Sequence, residues 1–471
     1  MIKRGFIKAA FAVSMAFSLS LTAGADTPKY VFYLIGDGMG INEVYSAQLY
    51  NRATGYGPEN LNFFHFPVRT FVTTYSASSL VTDSAAAGTA LATGVKTYND
   101  AMGVDADTVA VSSIADWAKS AGFGVGVITS VGINHATPAA FYAHAASRAE
   151  YEKIAGQLAA SKVDFAAGGG VINEVRKTGH DSKFLEDMIS AAGVSILRGE
   201  QLKTAASHTE RVLCLSENPH ITDLPYAIDR TEGQTGLPDF VRAGIEYLSA
   251  NFLEKGFFCM IEGGSIDHAG HSDDGASDFW EINDFAEAID LVLAFYHEHP
   301  DETLIVVTAD HETGACAPGA GRYEMHPELL AAQKCSEDKL NEYFREFAKV
   351  GENNSLPSWE EARSFFTKHL GLWDVINVDP ATEAALKSAY ENAVRKNRGD
   401  DVVSLYSVST RVVSDAIDYA NRQAGYLWPH GTHTGSPVGL YVKGVNEQEF
   451  LGCTDNTDIP KTIARIANYS K

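Results

Sequence analysis

Residues 30–36 read YVFYLIG, an unbroken apolar run that ends directly before Asp37. Similar runs are FGVGVITS at 123–130, FFCMIEG at 257–263 and TLIVVTA at 303–309. Strands that are buried on both faces read as continuous apolar runs, whereas a strand with one wet face alternates apolar and polar residues. The four runs therefore predict strands in the interior of a mostly parallel sheet.

Amphipathic segments between these runs predict helices at 113–120, 149–160, 238–251 and 277–299. In the last of them, Phe279, Ile282, Phe285, Ala286, Ile289 and Leu293 follow the three-and-four spacing of one buried helical face. The alternation of strands and helices predicts an α/β fold, a mostly parallel central sheet with helices on both faces.

The chain has 471 residues, more than the roughly 250–300 at which single cores stop growing. Between about 318 and 430 the sequence becomes polar and helix-prone, as in SEDKLNEYFREFAKV, with no clear buried strand. A strand, PVGLYVKG at 437–444, and a last helix follow. We therefore predict one catalytic domain, residues 26–317 and 431–471, interrupted by a helical insert at 318–430.

Residues 1–25 have the pattern of a signal peptide. Three basic residues, Lys3, Arg4 and Lys8, precede an apolar run from about 9 to 21, and Ala23-Gly24-Ala25 forms a small-x-small cleavage site. The run is shorter than the ~20 residues that a membrane span needs. We expect cleavage, no membrane anchor afterwards, and a periplasmic or secreted protein.

The formal net charge is −23, which excludes nucleic-acid binding by bulk electrostatics. Any anionic substrate must therefore be captured locally. The five cysteines contain no CxxC pair, and their odd number leaves at least one thiol unpaired. Cys259 lies in an apolar run and is expected to be buried and inert, Cys316 and Cys335 could form a bridge, and the pairing cannot be deduced.

Polar residues follow four of the predicted strands, where parallel strands gather their functional groups. These residues are Asp37; His135 and Thr137; Glu262 and Asp267; Asp310 and His311. Asp267 and His271 have the i,i+4 spacing of two ligands on one helical face, and such oxygen and nitrogen donors suit zinc. His433 adds an isolated imidazole after the insert, although a lone histidine is more often structural than a ligand.

Ser84, in VTDSAAAGT at 81–89, stands where a helix of small residues is expected to begin. A helix N-terminus offers free N–H groups to an anion. An equally good interpretation is that Ser84 merely caps a tightly packed helix. The chain contains neither a GxSxG elbow nor a P-loop signature, so a nucleophilic Ser84 would need metal activation.

Six blocks, in this order, resemble alkaline phosphatases. They are DGMG (37–40), TDSAAAGT (82–89), NHATPAAFYAHAASR (134–148), EGGSIDHAGH (262–271), TADHET (308–313) and HTG (433–435). The resemblance implies hydrolysis of phosphate monoesters through a phosphoserine on Ser84. It also implies that Arg148 grips the phosphate and that Asp83 orients Arg148.

The resemblance further implies two zinc ions and one magnesium ion. The first zinc would be held by Asp267, His271 and His433, the second by Asp37, Asp310 and His311, and the magnesium by Asp37, Thr137 and Glu262. His135 and His268 stand where the best-known bacterial subtype has Asp and Lys. The third metal could therefore be zinc, and His135 could act from the second coordination shell.

Two other functions remain open from the sequence. Phosphodiesterases of the same superfamily commonly use a threonine nucleophile, and a catalytically silent phosphate-binding protein would be expected to lose the nucleophile or a ligand. Ser84, Arg148 and the complete ligand set favour the monoesterase. The expected substrates are small phosphomonoesters, and the resemblance suggests a homodimer.

Overall fold

The computed structural model describes residues 27–173, 180–319, 323–349, 356–396 and 410–469. The predicted signal peptide at 1–25 lies outside these residues and stays a prediction. No described helix combines the length and apolar character needed to cross a bilayer.

Within the described residues, nine strands form one central sheet, and four short strands form two small pairs. The strands are β1 (Tyr30–Gly36), β2 (Val68–Val72), β3 (Gly124–Thr129), β4 (Phe165–Gly168), β5 (Ser195–Arg198), β6 (Val212–Leu215), β7 (Phe257–Gly263), β8 (Thr303–Ala309), β9 (Glu312–Thr313), β10 (Ala317–Pro318), β11 (Tyr426–Leu427), β12 (His433–Thr434) and β13 (Val438–Gly444). The order in the sheet is β2-β13-β8-β1-β7-β3-β4-β6-β5, and among these described strands β13 alone runs opposite to the other eight. The predicted mostly parallel sheet is confirmed.

Helices surround this sheet, as expected for an α/β fold. The α-helices are α1 (Ile41–Thr54), α2 (Ser84–Thr93), α3 (Ile114–Ser120), α4 (Ala136–Ala139), α5 (Tyr151–Ala160), α6 (Ser182–Ala191), α7 (Leu237–Phe252), α8 (Ser265–His271), α9 (Gly275–Glu298), α10 (Glu337–Phe347), α11 (Trp359–Leu370), α12 (Pro380–Lys396), α13 (Arg411–Ala424) and α14 (Asp458–Ile466). The part of the chain that the structure describes also contains five 3₁₀ segments, at Asn62–His65, Gly199–Ser207, Ala227–Asp229, Pro327–Ala332 and Glu447–Gly452.

The apolar runs became the central strands because both of their faces are covered. Every residue of β1, β7 and β8 is buried. β1 lies between the other two, so that Gly36 pairs with Gly263 on one side and with Ala309 on the other. The four-residue strands β4, β5 and β6 were not predicted, since runs as short as FAAG carry little periodic signal.

The predicted helices agree with the structure to within two residues at each end. The segment 113–120 forms α3, where Ser113 and Asp116 make a reciprocal capping box. The segment 277–299 forms α9, which begins two residues earlier because the side chain of Asp274 caps it and accepts a hydrogen bond from Ser277 N.

Residues 318–430, predicted as an insert, contain the helices α10 to α13 among the part that the structure describes. Two carboxylates of the main body, one half-buried and one buried, hold its first helix in place. Asp229 accepts hydrogen bonds from Ser336, and Asp274 accepts them from Gln333 Nε2 and from Glu337 N, each at 2.7 Å. The domain boundaries themselves stay a prediction.

The suggested bridge between Cys316 and Cys335 is wrong, because all five cysteines are free and buried. Cys316 Sγ lies instead 3.7 Å from Ser46 Oγ. Burial raises the pKa of Cys335 to about 12, which keeps that thiol protonated and unreactive. The expectation of a buried Cys259 is confirmed.

Candidate active site

The site lies where β1, β3, β7 and β8 end. Because Gly36, Gly263 and Ala309 are lateral neighbours, the residues that follow these strands meet at one edge of the sheet. Asp37 N donates a hydrogen bond to Gly263 O at 3.1 Å, which holds the chain after β1 against the end of β7.

Ser84 is the first residue of α2, and Asp83 is the residue that caps this helix. Asp83 Oδ1 accepts a hydrogen bond from Ala86 N at 3.0 Å. The side chain of Ser84 therefore does not cap the helix. Its Oγ lies 3.1 Å from His311 Nε2. The interpretation of Ser84 as a mere cap is wrong, because the preceding residue performs that task.

Asp267, His271 and His433 form the first group of potential metal ligands. The Nε2 atoms of the two histidines are 3.1 Å apart, and His271 Nε2 is 3.3 Å from Asp267 Oδ2. Each Nδ1 contacts a backbone carbonyl at 2.9 Å, Gly431 O for His271 and Thr82 O for His433. Since Nδ1 must donate to a carbonyl, both Nε2 lone pairs face the space between the three side chains.

Asp37, Asp310 and His311 meet beside the serine. His311 Nε2 lies 3.4 Å from Asp37 Oδ1 and 3.2 Å from Asp310 Oδ2. Asp310 Oδ1 is held by Gly38 N and His311 N. Asp267 also belongs here, because its ligand atom lies within 4.8 Å of those of Asp37 and His311. It thus stands between the two sets that were predicted separately.

A third group contains Asp37, Glu262 and His135, whose potential ligand atoms lie within 4.8 Å of one another. Thr137 Oγ1 is 3.3 Å from Asp37 Oδ2, so the predicted threonine is also present. Asp37 lies in two of the groups, as expected of a bridging carboxylate.

Several buried oxygens of the site receive no hydrogen bond. They are Asp37 Oδ1, Asp310 Oδ2 and Glu262 Oε1, all on fully buried side chains. A buried carboxylate oxygen without a donor is costly unless a cation satisfies it. These oxygens and the convergent Nε2 atoms fit bound divalent metal ions.

The pKa values of the site also indicate that its buried carboxylates are stabilised by bound positive charge. Burial, and then the charge of Asp310, raise the pKa of Asp37 well above its usual range. Burial raises that of Glu262 to about 8, and burial with the charge of Asp267 raises that of Asp310 to about 7. Burial raises the pKa of Asp267 and lowers that of His271, but the ion pair between them outweighs burial. The pKa of Asp267 therefore lies well below its usual range, and that of His271 rises to about 9.

Arg148 borders the third group and contacts both Asp83 and His135. Its Nη1 lies 3.3 Å from Asp83 Oδ2, and its Nη2 lies 2.9 Å from His135 Nε2. Asp83 Oδ2 also accepts a hydrogen bond from Asp100 N at 3.0 Å. One aspartate thus caps the serine's helix with one oxygen and contacts the arginine with the other.

His268 is near the site but belongs to none of the three ligand groups. Its ring lies 5.9 Å from that of His135, in a nearly perpendicular orientation. The structure thus brings His135 among the carboxylates and leaves His268 outside them.

Two threonines of the site were not predicted. Thr313 Oγ1 donates to Asp267 Oδ1 at 2.5 Å and lies 3.2 Å from His311 Nδ1. Thr129, the last residue of β3, donates to Glu262 Oε2. The position of Thr129 at a strand end was a usable signal, whereas nothing local distinguishes Thr313.

Known proteins are similar to this chain over almost its whole length. A family model described as Alkaline phosphatase matches residues 28–469. Alkaline phosphatase 3 of Bacillus subtilis is 33% identical over 460 residues, which cover 94% of this chain and 90% of the relative.

Solved structures of bacterial enzymes are also similar. A cold-active alkaline phosphatase from the psychrophile Shewanella sp. has a TM-score of 0.74 and 30% identity, covering 94% of this chain and 100% of its own. The alkaline phosphatase of the Antarctic bacterium TAB5 has a TM-score of 0.65 and 25% identity, with 94% and 100% covered. A mutant of the TAB5 enzyme was solved with Mg bound in its M3 site.

Proposed function

Because the chain belongs to the alkaline phosphatase family, whose enzymes hydrolyse phosphate monoesters, we propose that it does so with Ser84 as nucleophile. The observation that carries this proposal is the position of Ser84 Oγ, 3.1 Å from His311 Nε2 and at the start of α2. The serine thereby stands beside the groups of buried ligands, with the free N–H groups of a helix N-terminus next to it.

The proposed metals are two zinc ions and a third ion, magnesium or zinc. Asp267, His271 and His433 would hold the first, Asp37, Asp310 and His311 the second, and Asp37, Thr137 and Glu262 the third, with His135 as a further candidate ligand. When bound, such ions supply Lewis-acid stabilisation of the charge that develops on the attacking and leaving oxygens. Orphaned carboxylate oxygens in each of the last two sets support this assignment.

Phosphate binding is assigned to Arg148 and to the N-terminus of α2. A guanidinium can hold two phosphate oxygens with parallel hydrogen bonds. Contacts with Asp83 and with His135 restrict the Arg148 side chain from two directions. Since the protein carries a formal charge of −23, the substrate anion is attracted by these local groups rather than by the whole surface.

The reaction proceeds in two displacements. Ser84 Oγ loses its proton to solvent and attacks phosphorus, a Ser84 O–P bond forms, the P–O bond to the alcohol breaks, and the departing oxygen takes up a proton. Water then attacks the phosphoserine, the Ser84 O–P bond breaks, a proton from the water returns to Ser84 Oγ, and inorganic phosphate leaves. Arg148 holds the same non-bridging oxygens in both steps. The configuration at phosphorus therefore inverts once in each displacement, while the phosphoryl oxygens stay bound to the arginine.

Export is part of the same proposal, on the pattern of residues 1–25 alone. The mature enzyme would then act in the periplasm or outside the cell on small phosphomonoesters. The homodimer is proposed on the family resemblance.

The test measures phosphate release from an aryl phosphate at alkaline pH, with zinc and magnesium supplied. We expect Ser84→Ala to lower turnover by more than about 10³-fold, as losses of a nucleophile do, and a chelator to abolish the activity of the parent. Ser358→Ala is the matched control, because Ser358 caps a helix far along the chain in the insert and should affect stability only.

Three outcomes would contradict the proposal. Full activity of Ser84→Ala would exclude the nucleophile. Faster hydrolysis of an aryl phosphodiester would indicate a phosphodiesterase instead, and no turnover with both metals present would indicate a silent phosphate-binding protein. Acid-quenched parent enzyme should carry one phosphoryl group, which peptide mass spectrometry should locate on Ser84.

A further inference from the structure

One short segment serves both imidazoles of the first group of potential metal ligands. It runs from the start of β11 to the end of β12, residues 426–434, and follows the helices of the predicted insert. Gly431 O accepts the hydrogen bond from His271 Nδ1 at 2.9 Å, and His433 is itself part of the segment. We call residues 426–434 the return segment.

His271 depends more on the return segment than the other members of its group do. Its side chain is 39% exposed, whereas that of His433 is 14% exposed and that of Asp267 is 6% exposed. An imidazole that packing does not enclose keeps its orientation through the hydrogen bond on its other nitrogen. The position of Gly431 O therefore decides where His271 Nε2 points.

Trp428 anchors the return segment in the interior of the protein. It is 3% exposed, and its indole ring lies against two glycines from other parts of the chain. A β-carbon at Gly275 would lie 2.5 Å from Trp428 Cη2, and one at Gly314 would lie 2.6 Å from Trp428 Cδ1. Because glycine has no β-carbon, the two backbones can approach the ring this closely.

The two glycines stand next to active-site residues in the sequence. Gly275 begins α9, four residues after His271, and Gly314 follows Thr313 directly. Gly314 N donates a hydrogen bond to Thr432 O at 2.9 Å, beside the pairing of β9 with β12. The indole ring therefore contacts the chain segments on both sides of the first ligand group.

Packing rather than hydrogen bonding holds the indole ring in place. Within the described residues, Trp428 Nε1 is buried without a hydrogen-bond partner, although a buried indole N–H usually has one. The rings of Phe279 and Tyr426 each lie 5.9 Å from that of Trp428. A smaller side chain would leave a cavity at this position, and the return segment could then shift.

We propose that Trp428 is a positioning residue for the first metal site. The proposal rests on the proposed function, because it takes Asp267, His271 and His433 to be zinc ligands. Trp428 fixes the return segment, the segment places Gly431 O, and this carbonyl orients His271 Nε2. The predicted helical insert, near whose end Trp428 lies, is thereby coupled to zinc binding in the active site.

The experiment measures zinc affinity of the full-length mature protein by competition with a chelator, and zinc content by mass spectrometry, so neither readout depends on turnover. Trp428→Leu stays apolar but loses the planar ring. It should lower the affinity for one of the two zinc ions by about 10–100-fold and leave the other bound. In the background of His271→Ala, which already lacks a ligand of that ion, Trp428→Leu should have no further effect.

Gly275→Ala perturbs the same contact from α9, because its added methyl group would press on the ring of Trp428. It should weaken the same zinc ion, and it repeats the test if Trp428→Leu does not fold. Trp359→Leu is the matched control, since Trp359 is a buried tryptophan of the predicted insert that packs against Trp373 and Tyr390. It should lower stability and leave the zinc affinity unchanged.

Unchanged zinc affinity in Trp428→Leu or in Gly275→Ala would overturn the proposal. An equal loss of both zinc ions would do so too, and so would an equal loss in Trp359→Leu. If the parent bound two zinc ions and the variants kept both, only the positioning role would fall. A parent that bound no zinc would refute the proposed function as well.

Discussion

Asp83 and Ser84 divide two tasks that often fall to one residue. Asp83 satisfies Ala86 N at the start of α2 and contacts Arg148 with its other oxygen. Ser84 is then free to face His311. A serine that served as the cap would have its oxygen occupied by a backbone N–H, so the preceding aspartate leaves Ser84 available for its proposed role as nucleophile.

Thr313 connects two of the proposed metal sites through one hydroxyl group. A hydroxyl has a single proton to donate. Thr313 Oγ1 donates it to Asp267 Oδ1 in a hydrogen bond of 2.5 Å. The Thr313 oxygen can then only accept from His311 Nδ1. With its proton on Nδ1, His311 presents the Nε2 lone pair to the site.

We therefore expect Thr313→Val to weaken zinc binding by about 10–100-fold, the usual effect of losing such an outer partner. Thr313→Ser keeps the hydroxyl and should bind zinc nearly as well as the parent. Competition of each variant with a zinc chelator measures the affinity. If serine and valine have the same effect, the hydroxyl is not the cause.

At the scale of elements, the small residues of α2 allow it to lie against α4. A β-carbon at Gly88 would lie 3.1 Å from Thr137 Cα and 3.4 Å from Ala140 Cβ. The helix that begins with Ser84 is thus in close backbone contact with the segment that contains Thr137. The close packing explains why a glycine stands at position 88.

Gly88→Val should therefore lower the free energy of unfolding by about 1–3 kcal/mol, as overpacking does, and should lower kcat by moving Ser84. Gly156→Ala is the control in another helix, because its β-carbon would have only Met188 Cε nearby, at 4.0 Å. It should stabilise by roughly 0.5–1 kcal/mol. Urea denaturation measures both, and equal midpoints would contradict the close packing.

At the scale of the whole molecule, metal binding and protons compete in the active site. Without metals, the folded-state pKa values of Asp310 (about 7), Glu262 (about 8) and His271 (about 9) all lie above the ordinary values of these groups. A raised folded pKa contributes stability at low pH that is lost as the pH rises through it. The metal-free protein should therefore lose stability progressively from about pH 4, where the carboxyls of the unfolded chain ionise, to about pH 9, the folded-state pKa of His271.

Bound metals reverse this loss, since they bind the deprotonated ligands and stabilise the native state. We expect a chelator to lower the melting temperature much more at pH 9 than at pH 6. Differential scanning calorimetry with and without EDTA measures the difference, and EDTA saturated with zinc beforehand is the control. An equal decrease at both pH values would show that these groups do not titrate with the metals.

The sequence by itself determined the central strands, the helices between them and the residues at the strand ends. The run YVFYLIG became β1 with the predicted bounds, because an apolar run buried on both faces is dictated by its own composition. The six blocks likewise supplied the family, since each keeps its ionisable residues at a fixed place along the chain. The composition of a strand and the order of residues within a motif are local properties, so they can be read directly from the sequence.

Only the tertiary structure decided which side chains share an atom or a space. It placed Asp267 between two proposed metal sites, His135 against Arg148, and Thr313 between Asp267 and His311. It also kept Cys316 from Cys335. These contacts join segments that are far apart in the chain, and their geometry depends on how the strands pair and the helices pack, which no local pattern encodes.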